Sequence, residues 1–210
     1  MPDIKKVSIV CLGIFLLFSA CLNLKQPSQR IAFYTLEYDP PVIAGIGTLP
    51  YAIRIDRFSV APVYDTTQII YRDQSFVRNA YIYHKWRVNP GNLVTYFLTR
   101  DIRHSNLFEA VLPDKGRFDP SFILEGSVDQ FVEWDTGVKS SAVLSINVTL
   151  IAANEPDIHK KIIFQRSYNA TQECKERQPR ALAEAMSLAM AHVSGEILED
   201  IYGHLKNAGY

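Results

Sequence analysis

The sequence predicts an α+β fold in a single domain, a mainly antiparallel sheet packed by a mid-chain helix and a long C-terminal amphipathic helix. Three observations carry this expectation. Apolar residues recur at period two in Ser121–Val128 (Phe122, Leu124, Val128) and Ser140–Ala152 (Ala142, Leu144, Ile146, Val148, Leu150). Asn89-Pro90 pairs a capping side chain with a proline pre-set for a first helical turn, ahead of Leu93, Val94, Phe97, Leu98 and Ile102. From Pro179 to Lys206, Leu182, Met186, Ala189, Val193, Ile197, Ile201 and Leu205 recur every three or four residues, which makes a helix about 42 Å long with one core-facing stripe.

The N-terminal residues are of a different kind. Lys5 and Lys6, an apolar run Val7–Phe18 and the small pair Ser19-Ala20 lead into Cys21. The run is shorter than the roughly 20 residues of a membrane span and has a secretory signal's charged start and small-residue end. Ser19-Ala20-Cys21 is similar to the bacterial lipobox, with Phe18 where leucine is commoner. Residues 1–20 are therefore expected to be a cleaved lipoprotein signal, 21–29 a lipidated cysteine with a short tether, and 30–210 the domain. A diacylglycerol and an N-acyl chain, palmitate-like in kind, are expected on Cys21. Two or more chains anchor stably, so the mature protein would lie on a membrane without spanning it. Leu22 is not the aspartate that marks inner-membrane retention, so the expected location is the periplasmic face of the outer membrane.

The whole chain holds 22 basic and 22 acidic side chains, and loss of Asp3, Lys5 and Lys6 leaves a formal charge near −1. No basic field recruits nucleic acid. Of three cysteines, Cys11 leaves with the signal and Cys21 is capped, so Cys174 has no internal disulfide partner and reads as a buried or tolerated thiol. The 11 tyrosines and 11 phenylalanines suit a sheet with a partner surface.

Within the domain a first strand is expected in Ile31–Tyr38, ended by Asp39-Pro40-Pro41, which cannot continue a ladder. Val42–Pro50 reads as a loop, its single Gly45-Ile46-Gly47 being too little for a phosphate cradle. Tyr51–Val60 alternates until the phase slips at Phe58, as a strand with a bulge does. Gln68–Tyr71 and Ser75–Trp86 read as a hairpin presenting Tyr71, Tyr81, Tyr83 and Trp86. The mid-chain helix gives way at Ser105-Asn106 to a strand in Leu107–Leu112, and Pro113–Pro120 is a charged loop. Asp135-Thr136-Gly137 makes a hairpin turn, and Lys160–Tyr168 adds a third antiparallel strand through Ile162, Phe164 and Tyr168.

Catalytic chemistry has little to rest on. His84, His104, His159, His192 and His204 show no metal-ligand spacing, no Gly-x-Ser-x-Gly elbow is present, and no carboxylate pair stands out. The expectation is no enzymatic activity, no metal, and no cofactor beyond the acyl chains on Cys21.

One ordered set of residues adds a likeness: Phe33-Tyr34-Thr35-Leu36, Val60-Ala61-Pro62-Val63-Tyr64-Asp65, Gln68-Ile69-Ile70-Tyr71-Arg72, Tyr83, Trp86, then Ile102, Ser105, Phe108 and Val111. Together with the lipobox it resembles the ABC-type transport auxiliary lipoprotein family, the PqiC-like lipoproteins associated with MCE-domain lipid transport. Thr66-Thr67 and Val88-Asn89 depart from the usual pattern. The resemblance implies a non-catalytic docking subunit for a transporter that moves lipids or other hydrophobic molecules between membranes. Its partners would be an MCE-domain periplasmic protein with its ABC permease and ATPase, and homo-oligomerisation stays open. Arg72, Tyr83 and Trp86 are the candidate partner surface, since arginine and aromatic residues dominate binding hot spots. Their structural alternative is an arginine paired with an internal carboxylate and a tryptophan capping the core. An outer-membrane biogenesis lipoprotein of the lipopolysaccharide-assembly type partnering a β-barrel, or a periplasmic lipid carrier, are the rival functions.

Overall fold

The computed structural model describes residues 29–43 and 47–208. The expectations for the signal, for Cys21, for most of the tether and for Gly45-Ile46 therefore lie outside the described residues. Ile31–Tyr210 forms one compact unit. Among the described residues it holds one sheet of nine strands and three helices, the α+β architecture the sequence predicts.

The longest strand is its spine. β7 (Phe122–Asp135) pairs along its whole length with antiparallel β8 (Ser140–Ala152), which pairs in turn with antiparallel β9 (Ile162–Glu173). The other edge of β7 receives three short strands in succession, all parallel to it: β2 (Leu49–Ile55) at Phe122–Leu124, β3 (Ser59–Val60) at Ser127–Val128, and β4 (Gln68–Arg72) at Glu133–Trp134. β5 (Arg78–Trp86) returns antiparallel to β4, β1 (Ala32–Tyr34) lies parallel to β5, and β6 (Phe108–Leu112) lies parallel to β2. The long pairings are antiparallel, and the short parallel ones set the order.

Several boundaries differ from the sequence reading, each for a local reason. The first strand stops at Tyr34, because the chain then turns to bury Leu36 and to put the Tyr38 side chain on the mid-chain helix. β2 and β3 are separate strands, broken where Phe58 leaves the sheet to be buried. β7 runs past Val128 to Asp135 because a bulge at Asp129, between Val128↔Ile146 and Gln130↔Ser145, resets its alternation. Beyond the bulge Phe131 and Glu133 continue the buried face. β9 runs on to Glu173 through the polar stretch Asn169–Glu173, and a one-turn helix, α2 (Ile158–Lys161), precedes it.

Both long helices form as the sequence predicts. α1 (Pro90–His104) has Asn89 as its cap, whose side chain accepts the Asn92 N–H at 3.0 Å, and ends on Ser105 with Asn106 at φ 54°. Leu93, Val94, Phe97, Leu98 and Ile102 are all buried. α3 (Pro179–Ala208) buries every member of its predicted stripe. A Cβ added at Gly195 within it would meet Pro41 at ordinary contact distance.

α1 and α3 share one core with Ala142, Leu144, Ile146, Val148 and Leu150 of β8. The opposite face of β7–β8–β9 is polar. There Ser145 Oγ donates to Asn169 Oδ1 at 2.7 Å, Gln165 Nε2 donates to Thr149 Oγ1 at 3.2 Å, and Asn147 bonds Asp129 and Ser167. One small apolar group interrupts it, where Tyr64 covers Val132 and Val143.

Candidate partner surface

The register of β4 against β5 builds the most unusual feature of the molecule. Gln68 lies opposite Lys85, yet Ile70 lies opposite Ala80, so Tyr81–His84 bulge against Ile69 alone. Such a bulge re-aims side chains that a regular pleat would alternate. The run Tyr81-Ile82-Tyr83 cannot alternate without exposing a large side chain. Ile82 is 72% exposed and Tyr83 42% exposed, while Tyr81 and His84 turn inward. Among the described residues β1 covers only His84–Trp86 of β5, so Tyr81–Tyr83 of the bulge have no strand on that side.

The inward pair is held by a chain of aromatic contacts and hydrogen bonds. Tyr34 Oη and His84 Nδ1 are 3.1 Å apart, and the Tyr81 ring stands edge-on to His84 and tilted on Tyr71. Tyr81 donates its hydroxyl to Glu133 Oε2 at 2.8 Å, and Ser140 donates to Oε1 at 2.5 Å. Glu133 is thus buried with both oxygens satisfied. Burial, followed by the neighbouring Glu133 carboxylate, pushes the Tyr81 phenol well above its ordinary range, so it stays a donor. This backing fixes the base from which Ile82 and Tyr83 project.

The three candidate residues separate. Tyr83 is exposed on the bulge. Arg72 ends β4 with its guanidinium carbon 4.3 Å from the centroid of the Trp134 ring, and its buried Nε has no hydrogen-bond partner, so it stacks on an indole instead of pairing with an internal carboxylate. Trp86 is 1% exposed and stands edge-on to Phe131 at 5.1 Å, which places it in the core, as its structural alternative has it, and leaves no face for a partner. Sequence reasoning missed Ile82, for which the unbroken Tyr81-Ile82-Tyr83 was the available signal.

Beside this edge, Phe33 is 52% exposed with Arg87 over its ring. It opens a cleft of about 390 Å³ between the β1 segment and α3, lined also by Tyr34, Glu37, Arg180 and Ser187. A second groove, of about 580 Å³ on the polar sheet face, is lined by Asp56, Arg57, Glu125, Asn147 and Gln165. Cys174 is buried, and burial raises its thiol, which disfavours the reactive thiolate. Among the described residues no group of three or more His, Cys, Asp or Glu could hold a metal ion. Among the same residues no helix is long and apolar enough to cross a membrane.

Comparison with known proteins agrees with this architecture. No curated protein matches the sequence. The solved structure of protein XCC0632 from Xanthomonas campestris, described as DUF330, superposes with a TM-score of 0.73 at 16% identity, covering 85% of this chain and 98% of that one. Hypothetical protein CT253 from Chlamydia trachomatis superposes with a TM-score of 0.52 at 9% identity, covering 74% of this chain and 98% of that one. At these identities the likeness is one of fold. The sequence itself matches the family model described as "ABC-type transport auxiliary lipoprotein component" over residues 34–198, and the chain belongs to that family.

Proposed function

We propose that this protein is a non-catalytic docking subunit, held by acyl chains on Cys21 at the periplasmic face of the outer membrane. There it serves an MCE-type ABC transport system that moves lipids or other hydrophobic molecules. Its partner is the MCE-domain protein, with permease and ATPase at the far end of the system. Family membership supports the transport role. The observation that carries the docking role is the bulge at Tyr81–His84, which exposes Ile82 and Tyr83 on a base held by the Tyr81–Glu133 hydrogen bond. An exposed aromatic beside an exposed aliphatic is the composition of an interface core. The bulge also blunts the edge against simple strand addition, so the partner meets side chains more than backbone.

The test is co-purification of the MCE-domain protein with the full-length lipoprotein and with Ile82→Asp and Tyr83→Ala variants, alongside their thermal unfolding. Docking through the bulge predicts loss of the partner with unchanged stability. Loss of stability together with the partner discredits the interface assignment.

A further inference from the structure

We infer that two hairpin tips at one end of the sheet press into the surface of the same membrane that holds the acyl chains, an inference that rests on the lipidation of Cys21 proposed above. The turn after β4 exposes Phe76 completely and Val77 by 54%, and the turn between β7 and β8 exposes Val138 by 86% with Trp134 at its rim. β4 and β7 run parallel with Arg72 opposite Trp134, so the two tips end at the same level. Gln74 Nε2 donates to the Thr136 carbonyl at 3.4 Å and ties one tip to the other.

The direction of β1 links these tips to the anchor. Ala32 lies opposite His84 and β1 runs parallel to β5, so the chain enters the fold from the side of Arg78, the first residue of β5 and the neighbour of Val77. Six residues of strand separate His84 from Arg78, about 20 Å at 3.3 Å each. Eleven residues separate Cys21 from Ala32 and reach at most about 40 Å. The anchor therefore has chain enough to lie level with the tips or just beyond them. Exposed phenylalanine and valine with an indole at the rim is the arrangement favoured at a bilayer interface.

Charge contributes little. Lys139 is paired with Glu173 at 2.8 Å and Arg177 with Asp135, and Arg78 lies in the field of Asp73, which leaves Arg72, stacked on Trp134, and little net charge around the tips. Contact should accordingly form on zwitterionic lipid and persist at high salt.

The chain has two tryptophans, and the buried Trp86 serves as an internal reference for Trp134. The mature lipoprotein is reconstituted into phosphatidylcholine vesicles whose acyl chains carry bromine near the headgroup, recovered by flotation, and its emission compared with that in unbrominated vesicles. The expected result is flotation with loss of Trp134 emission. That loss disappears in Trp134→Phe, shrinks in Phe76→Ser/Val138→Ser, and is unchanged in Phe118→Ser, whose side chain is exposed just ahead of the opposite end of β7. Flotation without any loss of Trp134 emission overturns the inference while leaving the anchor intact, and directs the tips to a protein instead. Failure to float contradicts the anchor and the inference with it.

Discussion

The hydroxyl of Tyr38 donates to Asp101 Oδ2 at 2.7 Å, and Ser194 Oγ donates to the same oxygen at 2.7 Å. Asp101 is fully buried on α1, Ser194 is on α3, and Tyr38 belongs to the segment after β1. Arg100 completes the group, pairing with Asp101 Oδ1 at 2.7 Å, donating to the Tyr38 carbonyl at 3.0 Å and stacking over the Tyr38 ring. One carboxylate thus ties together both long helices and the N-terminal segment. Removing it strands three donors. Asp101→Ala is predicted to lower stability by about 3 kcal/mol and Ser194→Ala by about 1 kcal/mol, read from urea unfolding.

Alkaline pH should loosen the same joints. Tyr38, Tyr81 and Tyr168 donate to Asp101, Glu133 and Asp200, and burial first, then the carboxylate, raises each phenol above its ordinary value of 10.0. The fold therefore holds protons that the unfolded chain releases. Stability from these groups is complete below about pH 10 and falls as pH rises past it. Urea midpoints measured across that range should drop steeply, with a shallower fall in Tyr38→Phe.

Phe58 sits between two glycines that leave it room. A Cβ on Gly126 would meet the Asn147 carbonyl oxygen at 2.1 Å and the Phe58 ring at 2.5 Å, and one on Gly91 would meet the Phe58 carbonyl oxygen at 2.5 Å. Backbone atoms cannot give way as side-chain ends do. Gly126→Ala is predicted to cost about 3 kcal/mol, seen as a lowered unfolding midpoint, whereas Gly47→Ala, in open space, should leave it unchanged.

Trp86 and Tyr83 should part company when substituted. Trp86→Ala opens a cavity against Phe131 and is predicted to cost about 4 kcal/mol. Tyr83→Ala removes a half-exposed ring and should stay within about 0.5 kcal/mol of the parent. Calorimetry of the two variants checks both.

The sequence announced those elements whose signals are local. Asn89-Pro90 caps α1, the three-four stripe of α3 is continuous, and β8 has an apolar residue at every second position from Ala142 to Leu150. Features made by distant partners stayed hidden. The bulge at Asp129 concealed the second half of β7, since it reverses the alternation that marks a strand. The end of β9 was missed beyond Tyr168 because Asn169, Thr171 and Glu173 belong to the sheet's outer face, a ladder of amides and hydroxyls with no apolar alternation to mark it. Nothing local told that β2, β3 and β4 would line up parallel along one edge of β7. For the partner surface, Tyr83 was legible as an exposed aromatic, but Trp86 was not legible as core, because its burial is decided by Phe131, far along the chain.

The proposed docking of an MCE-domain protein on the β5 bulge of a lipid-anchored domain is open to one decisive experiment. Its most direct test is site-specific photo-crosslinking in intact cells, with the crosslinker placed at Ile82 or at Tyr83. Docking through the bulge gives one dominant adduct, with the MCE-domain protein, from these positions and none from the exposed Phe118 at the far end of the sheet. Adducts with a β-barrel protein, or none from the bulge while the lipoprotein remains membrane-bound, would contradict it.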